Sequence, residues 1–134
     1  MVRRSRGPDR YNETVLDHYR NPRNVGEIEG TAAVGQVGDP ATGDVLRLSL
    51  RIENGRVVRA RFKSFGCTAA IAAGSVTTVL LEGRSPEEAE AVTNREVSEA
   101  LGGLPESKFH CSVLAEQAIR EAVRRYREAA DRGR

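Results

Sequence analysis

Cysteine is one of several features that are scarce in this sequence. The chain has two cysteines, Cys67 and Cys111, and they form no CxxC pair. Tryptophan is absent, and lysine occurs only at Lys63 and Lys108. Cysteine spacing alone therefore predicts neither a zinc ribbon nor a redox motif, and the surroundings of each cysteine have to be considered separately.

A long apolar run is also missing. A membrane-spanning helix needs roughly 20 predominantly apolar residues, whereas the longest weakly polar stretch, Ala69 to Leu81, is shorter and contains serine and threonine. The first ten residues are charged and lack the apolar segment of a secretion signal. We therefore expect no membrane association and a location in a reducing cytoplasm.

An excess of one charge is missing too, because 21 basic residues against 19 acidic ones leave a formal net charge of +2. Bulk charge therefore does not favour nucleic-acid binding. The basic residues near the C-terminus are Arg120, Arg124, Arg125, Arg127, Arg132 and Arg134. Acidic residues alternate with them, which is typical of a solvated helix face, and we expect no nucleic-acid partner.

The composition fits one folded domain. A chain of 134 residues, of which 39% are hydrophobic and 30% charged, can bury a core without covalent or metal staples. We place a single domain at residues 11–130. It lies between a basic, flexible N-terminal tail at 1–10 and a flexible C-terminus at 131–134.

Alternating apolar and polar residues predict an antiparallel hairpin. Val45 to Glu53 alternates throughout, and the alternation resumes from Arg56 to Phe65 after the turn-forming pair Asn54-Gly55. The residues expected to point inward are Leu46, Leu48, Leu50, Ile52, Val58, Ala60 and Phe62. Those expected to face solvent from the first strand are Arg47, Ser49, Arg51 and Glu53. Thr31 to Val37 is a weaker strand that Gly35 interrupts.

Helical spacing predicts the remaining elements. A short helix spans Asn12 to Tyr19, and Ala69 to Leu81 is apolar nearly all round, as expected for a helix buried against the sheet. Two short helices follow capping boxes at Ser85 and Thr93, and a long last helix runs from about Ser112 to Ala130. Strands followed by helices indicate an α+β domain with a small antiparallel three-stranded sheet packed against several helices.

Both cysteines precede predicted helices. The free N–H groups and positive dipole end of a helix lower a thiol pKa, which favours the thiolate that metals and sulfur transfer require. Beside Cys111 lie Lys108 and His110, a cation and a soft-metal ligand. The alternative for each cysteine is a small buried apolar residue, because Cys111 also falls on the apolar stripe of the last helix.

Asp44 follows the turn-rich segment Gly38 to Gly43 and could supply an oxygen ligand, although an aspartate in this position is also common turn chemistry. Loops at one end of a sheet can surround a single ion. Asp44, Cys67, His110 and Cys111 therefore form a candidate four-ligand set for Zn²⁺ or iron.

At these residues the chain resembles a known family, the U-type iron–sulfur cluster scaffold proteins called IscU and, as an N-terminal domain, NifU. Asp17 to Gly26 is similar to the opening helix and turn of the family. The other matching segments are Gly43-Asp44-Val45, Phe65-Gly66-Cys67 with Ala70-Ile71-Ala72, and His110 to Glu116. The resemblance extends from about Tyr11 to Tyr126.

The resemblance implies a scaffold and not a turnover enzyme. Such a protein accepts sulfur from a cysteine desulfurase, assembles a [2Fe–2S] cluster from that sulfur and iron, and passes the cluster to apo iron–sulfur proteins. Carried over by position, Cys67 and Cys111 are cluster thiolates, Asp44 is the acid associated with cluster lability, and His110 is an adjacent ligand. Lys108 is the cation of the loop, and Cys111 matches the cysteine that receives sulfur.

Two departures from the family pattern concern the site. Thr42 stands where the family has a cysteine before its Gly-Asp pair, and a neutral hydroxyl is a poor ligand for iron or zinc beside thiolates. Leu104-Pro105-Glu106-Ser107-Lys108 replaces the family's Leu-Pro-Pro-Val-Lys, which argues against recognition by its Hsp70-type chaperone. Thr42 favours an alternative function, a divergent paralogue that binds zinc or regulates the desulfurase without building clusters.

Overall fold

The structure, a computed structural model, describes residues 11–39, 41 and 43–132. The elements in chain order are α1 (Glu13–Arg20), β1 (Val34–Asp39), β2 (Asp44–Glu53), β3 (Arg56–Phe65), α2 (Thr68–Leu81), α3 (Pro86–Glu90), α4 (Asn94–Ala100), a 3-10 turn (Glu106–Lys108) and α5 (His110–Arg132). The predicted α+β class is confirmed, with a three-stranded antiparallel sheet and a long C-terminal helix. The N-terminal tail at 1–10 lies outside the described residues, whereas Asp131 and Arg132 belong to α5.

The strands lie in the order β1-β2-β3, and both pairs are antiparallel. Asn54 and Gly55 both have positive φ, as the turn between β2 and β3 requires. The inward direction predicted for Val58 is wrong, because this side chain is 51% exposed while Val57 is buried. A bulge leaves Val58 without a partner between the pairs Arg51–Arg59 and Ile52–Val57, which reverses the alternation there.

The outer face of the sheet is partly covered, so the expectation of a fully solvated face is also wrong. Ser49 is 1% exposed. The segment after α1 crosses this face, since the Glu29 carbonyl accepts a hydrogen bond from Arg51 and the Glu27 carboxylate lies 3.3 Å from the Lys63 ammonium. Ile28, between these two glutamates, is buried.

Gly35 does not interrupt β1 as predicted, because the strand continues through it to Asp39. A Cβ atom at Gly35 would lie 2.1 Å from the backbone oxygen of Ala118 in α5. The absent side chain therefore lets α5 pack directly against the strand. Glycine is required here for the close approach of two backbones and not for a break in the sheet.

The core lies between the sheet and the helices α2 and α5, and ten of the 14 residues of α2 are buried, as its apolar composition predicts. Ser85 forms the predicted capping box. At Thr93 only half of the predicted box is present, because the Thr93 side chain caps α4 but the Glu96 carboxylate accepts a hydrogen bond from Arg84 instead. Helix α5 begins at His110, two residues earlier than predicted. Cys111 is therefore in its first turn. No described helix has the length and apolar character needed to cross a membrane.

Candidate metal centre

Three chain segments meet at one end of the sheet. Because β2 and β3 are antiparallel, Val45 at the start of β2 lies opposite Phe65 at the end of β3. This pairing brings Asp44 beside Gly66 and Cys67, the residue that caps α2. The first turn of α5 contributes His110 and Cys111 to the same place.

The structure brings together the four predicted ligand residues that it describes. The Cys67 and Cys111 sulfur atoms are 3.7 Å apart, and His110 Nε2 is 3.6 Å from the Cys111 sulfur. His110 Nε2 donates to Asp44 Oδ2 over 2.6 Å, and Asp44 Oδ1 accepts the Cys67 N–H over 3.2 Å. One ligand atom from each of Asp44, His110 and Cys111 lies within 4.8 Å of the others. The site therefore offers two sulfur atoms, an imidazole and a carboxylate.

Gly66 makes room for the carboxylate. Its φ of +145° lies in the region that favours glycine, and a Cβ atom there would come within 2.1 Å of Asp44 Oδ1. Any side chain would therefore displace the oxygen that accepts the Cys67 N–H. The sequence alone predicted no role for Gly66. Its position between a strand end and a cysteine was the available signal.

The two thiols have opposite pKa shifts. A hydrogen bond from the Cys111 thiol lowers the pKa of Cys67 to about 6, with smaller help from the Ala70 N–H and the Lys108 charge. The same hydrogen bond, followed by burial, raises the pKa of Cys111. At neutral pH, Cys67 is therefore the thiolate and Cys111 the thiol that donates to it.

We expect iodoacetamide to alkylate Cys67 well before Cys111 in the metal-free protein at pH 7. The thiolate is the nucleophile, and Cys111 is 1% exposed. Alkylation of Cys67 should slow as the pH falls through about 6, where this sulfur takes up a proton. Peptide mass spectrometry over time and pH measures both rates. The Cys111→Ala variant should alkylate more slowly at Cys67, whereas equal rates in the two proteins would contradict the thiol–thiolate pair.

Of the two remaining predicted site residues, the structure describes only Lys108, whose charge acts on both thiols. Lys108 lies in the 3-10 turn before α5, and Thr42 lies outside the described residues. Two exposed aromatic residues flank the cysteines and were not predicted as site residues. They are Phe65 at the end of β3 and Phe109 before α5. Phe65 is 72% exposed. Their position beside Gly66 and His110 was the signal that could have identified them.

The opening motif positions α2. The Ser75 hydroxyl lies 2.8 Å from His18 Nδ1 and accepts the Arg23 N–H over 2.9 Å. Asn24 donates to the Thr78 hydroxyl one turn further along. These contacts attach α1 and the segment after it to the middle of α2. They therefore support the helix whose N-terminus is capped by Cys67.

An α+β domain with sulfur, nitrogen and oxygen donors gathered at one end of its sheet belongs to the class of proteins built to handle a soft transition metal. The chain is more specifically a member of the family described as NifU-like N terminal domain, whose model matches residues 10–132.

Curated relatives cover most of the chain. It is 48% identical over 121 residues to the iron-sulfur cluster assembly scaffold protein IscU of Azotobacter vinelandii, covering 87% of this chain and 94% of the relative. It is 46% identical over 113 residues to IscU 1 of Archaeoglobus fulgidus, covering 84% and 74%. The fold also matches a NifU-like N-terminal structure from Brucella abortus with a TM-score of 0.69, 19% identity and coverage of 87% and 94%.

Proposed function

We propose that this protein is a scaffold for iron–sulfur cluster assembly. It accepts sulfur from a cysteine desulfurase, combines it with iron into a [2Fe–2S] cluster, and transfers the cluster to apo-proteins in the cytoplasm. The cluster is cargo, and the protein is not a turnover enzyme. The observation that carries the proposal is the contact among Asp44, Cys67, His110 and Cys111 in a chain whose relatives are named scaffold proteins.

The donor set fits this cargo. A [2Fe–2S] cluster needs four terminal ligands, and nitrogen replaces sulfur on one iron in Rieske centres. Cys67 and Cys111 supply the soft donors, while His110 and Asp44 supply nitrogen and oxygen. His110 Nε2 now carries the proton that it donates to Asp44, so this proton must leave when the nitrogen binds metal.

The site also has an open side, as transfer of a cargo requires. The His110 side chain is 48% exposed, and Phe109 beside it is exposed as well. Asp44 is buried and held by His110 and Cys67, so a metal that binds these residues competes with existing hydrogen bonds. This competition gives a physical reason for weak retention of the cluster, in line with the lability that the family resemblance implies for Asp44.

Cys111 remains our predicted sulfur acceptor, and the structure adds a requirement. Because Cys111 is buried and protonated beside Cys67, sulfur can reach it only if the segment before α5 moves and the thiol pair separates. After incubation with a cysteine desulfurase and cysteine, mass spectrometry should therefore find added sulfur on Cys111. Added sulfur confined to Cys67 would contradict the assignment and would match the alkylation order of the free protein.

Anaerobic reconstitution tests the function itself. We expect incubation with ferrous iron, cysteine, a desulfurase and a thiol reductant, which supplies the two electrons that reduce each persulfide sulfur to sulfide, to give the visible absorption of a sulfide-bridged cluster, with iron and sulfide in equal amounts on analysis. An apo-ferredoxin added afterwards should acquire the cluster. A colourless zinc-loaded protein, or a change in desulfurase rate without any cluster, would instead support the alternative that Thr42 favours, a zinc-binding or regulatory paralogue.

A further inference from the structure

A groove rich in arginine runs beside the free edge of the sheet, far along α5 from the metal centre. Its cavity of about 410 Å³ is lined by residues that include Val34, Arg47, Arg124, Arg125, Glu128 and Arg132. An adjoining cavity of about 320 Å³ shares Val34, Arg47 and Arg125 and adds Gln36. We call this combined surface the arginine groove. It was not among the sites that the sequence predicted.

The positive charge of the groove is incompletely neutralised. Arg124 is paired with Glu121 and Glu128, and Arg125 shares Glu121 with it. Arg132, by contrast, makes no ion pair with another described residue. The Nε of Arg47 is buried and has no hydrogen-bond partner in the described part of the chain, and its nearest carboxylate, that of Glu27, is 3.7 Å away. The buried Nε of Arg47 is not accessible from the groove, and Arg47 Nη1 already donates to Gln36 Oε1, so Arg132 is the guanidinium that is available to an acidic group.

The strand beside these arginines has an open edge. Strand β1 pairs with β2 and is the outermost strand on its side of the described sheet. The Ala33 carbonyl accepts the Leu50 N–H, so by antiparallel alternation Gly35 and Val37 also turn their backbone groups toward β2. Val34 and Gln36 consequently turn theirs to the open edge, and both line the arginine groove. The Val34 N–H already donates to the Ala32 carbonyl, so the groups left for an added strand are the Val34 carbonyl and the N–H and carbonyl of Gln36.

We propose that the arginine groove binds an extended acidic segment of a partner protein, which pairs with the open edge of β1 as an additional strand. Backbone pairing would supply affinity, as in other cases of strand addition. Carboxylates at alternate positions of the segment lie on one side of it and would reach the arginines from there. The proposal goes beyond cluster assembly and does not depend on it.

Charge and chemistry exclude the other occupants. The chain's own N-terminal tail carries Arg3, Arg4, Arg6 and Arg10, and a second copy would bring its own arginine groove against this one. Like charges repel in both cases. The lining residues include no aromatic side chain on which nucleic-acid bases could stack. An acidic protein segment is the occupant that matches both the charge and the free backbone groups.

Fluorescence anisotropy with a labelled peptide of alternating glutamate and valine tests the charge requirement. We expect the peptide to bind, the Arg132→Glu and Arg125→Glu variants to weaken binding about tenfold, and added salt to weaken it further. Arg95→Glu, an exposed change on α4, is the matched control and should bind as the unmodified protein does. Circular dichroism verifies folding. Absence of binding, or equal binding by all variants, would overturn the proposal.

Hydrogen exchange tests the strand pairing. Exchange of the Gln36 amide should slow when the peptide is bound and should be unaffected by a lysine–valine peptide of equal length. If inorganic phosphate or an oligothymidylate displaces the peptide while the Gln36 amide exchanges freely, the groove is a general anion site and the proposal is wrong. Cluster reconstitution should be normal in Arg132→Glu. The peptide-binding proposal and the scaffold proposal can therefore fail separately, and the two assays distinguish which of them has failed.

Discussion

The Cys67→Ser variant should assemble at most about a tenth of the cluster that the unmodified protein assembles in anaerobic reconstitution. Cys67 is the sulfur that is already a thiolate at neutral pH, and its partner Cys111 lies 3.7 Å away. Serine keeps the size and the helix-cap position, but its oxygen is a hard donor that binds iron weakly beside sulfide. Visible absorption with iron and sulfide analysis measures the yield.

The same substitution should also reduce stabilisation by Zn²⁺. A metal at 100 times its dissociation constant stabilises the folded state by about 2.7 kcal/mol, which corresponds to a melting shift of about 10 °C for a domain of this size. We expect Cys67→Ser to lose most of that shift in calorimetry. Thr68→Ser is the matched control, because it changes the next residue in the chain, which is not one of the four proposed metal ligands. Superimposed melts of the unmodified protein with and without Zn²⁺ would contradict the presence of a metal centre.

Local sequence patterns predicted most of the fold because the signals were short-range. The alternation in β2 and the Asn54-Gly55 turn depend on neighbours in the chain, and both are present in the structure. The predictions that Gly35 interrupts its strand and that Val58 points inward were wrong, because in each case the cause lies outside the local sequence. Gly35 is explained by the backbone of α5, which is distant in sequence, and Val58 by a one-residue bulge in its pairing with β2.

The residues predicted as ligands lie together in the structure, but the electrostatics of the candidate site could not be predicted from the sequence. Helix entry, adjacent residue types and family resemblance indicated Asp44, Cys67, His110 and Cys111. Helix entry predicted a lowered pKa for both cysteines, whereas in the structure the pKa falls at Cys67 and rises at Cys111. The two sulfur atoms meet only in the folded chain, and the hydrogen bond between them, followed by the burial of Cys111, shifts the two pKa values in opposite directions.

Replacing Thr42 by cysteine should increase both the yield and the lifetime of the reconstituted cluster. Thr42 lies outside the described residues, and only Gly43 separates it from Asp44 in the sequence. Asp44 in turn is hydrogen-bonded to His110 and Cys67. A thiolate in this segment would restore the third sulfur ligand that the family resemblance implies and would replace a weaker donor.

The design of this experiment separates ligation from the mere addition of a thiol. Threonine and cysteine are close in volume, so the metal-free Thr42→Cys protein should melt within about 1 °C of the unmodified one. Ala41→Cys adds a thiol one position away and is the matched control, for which we expect little gain in lifetime. The lifetime is the decay of the visible absorption after a chelator is added, and the zinc-loaded share of purified protein should fall in parallel.

If Thr42→Cys leaves yield and decay unchanged while Cys67→Ser abolishes the cluster, the segment before Asp44 does not reach the metal. The site then consists of the α2 and α5 cysteines with their neighbours alone.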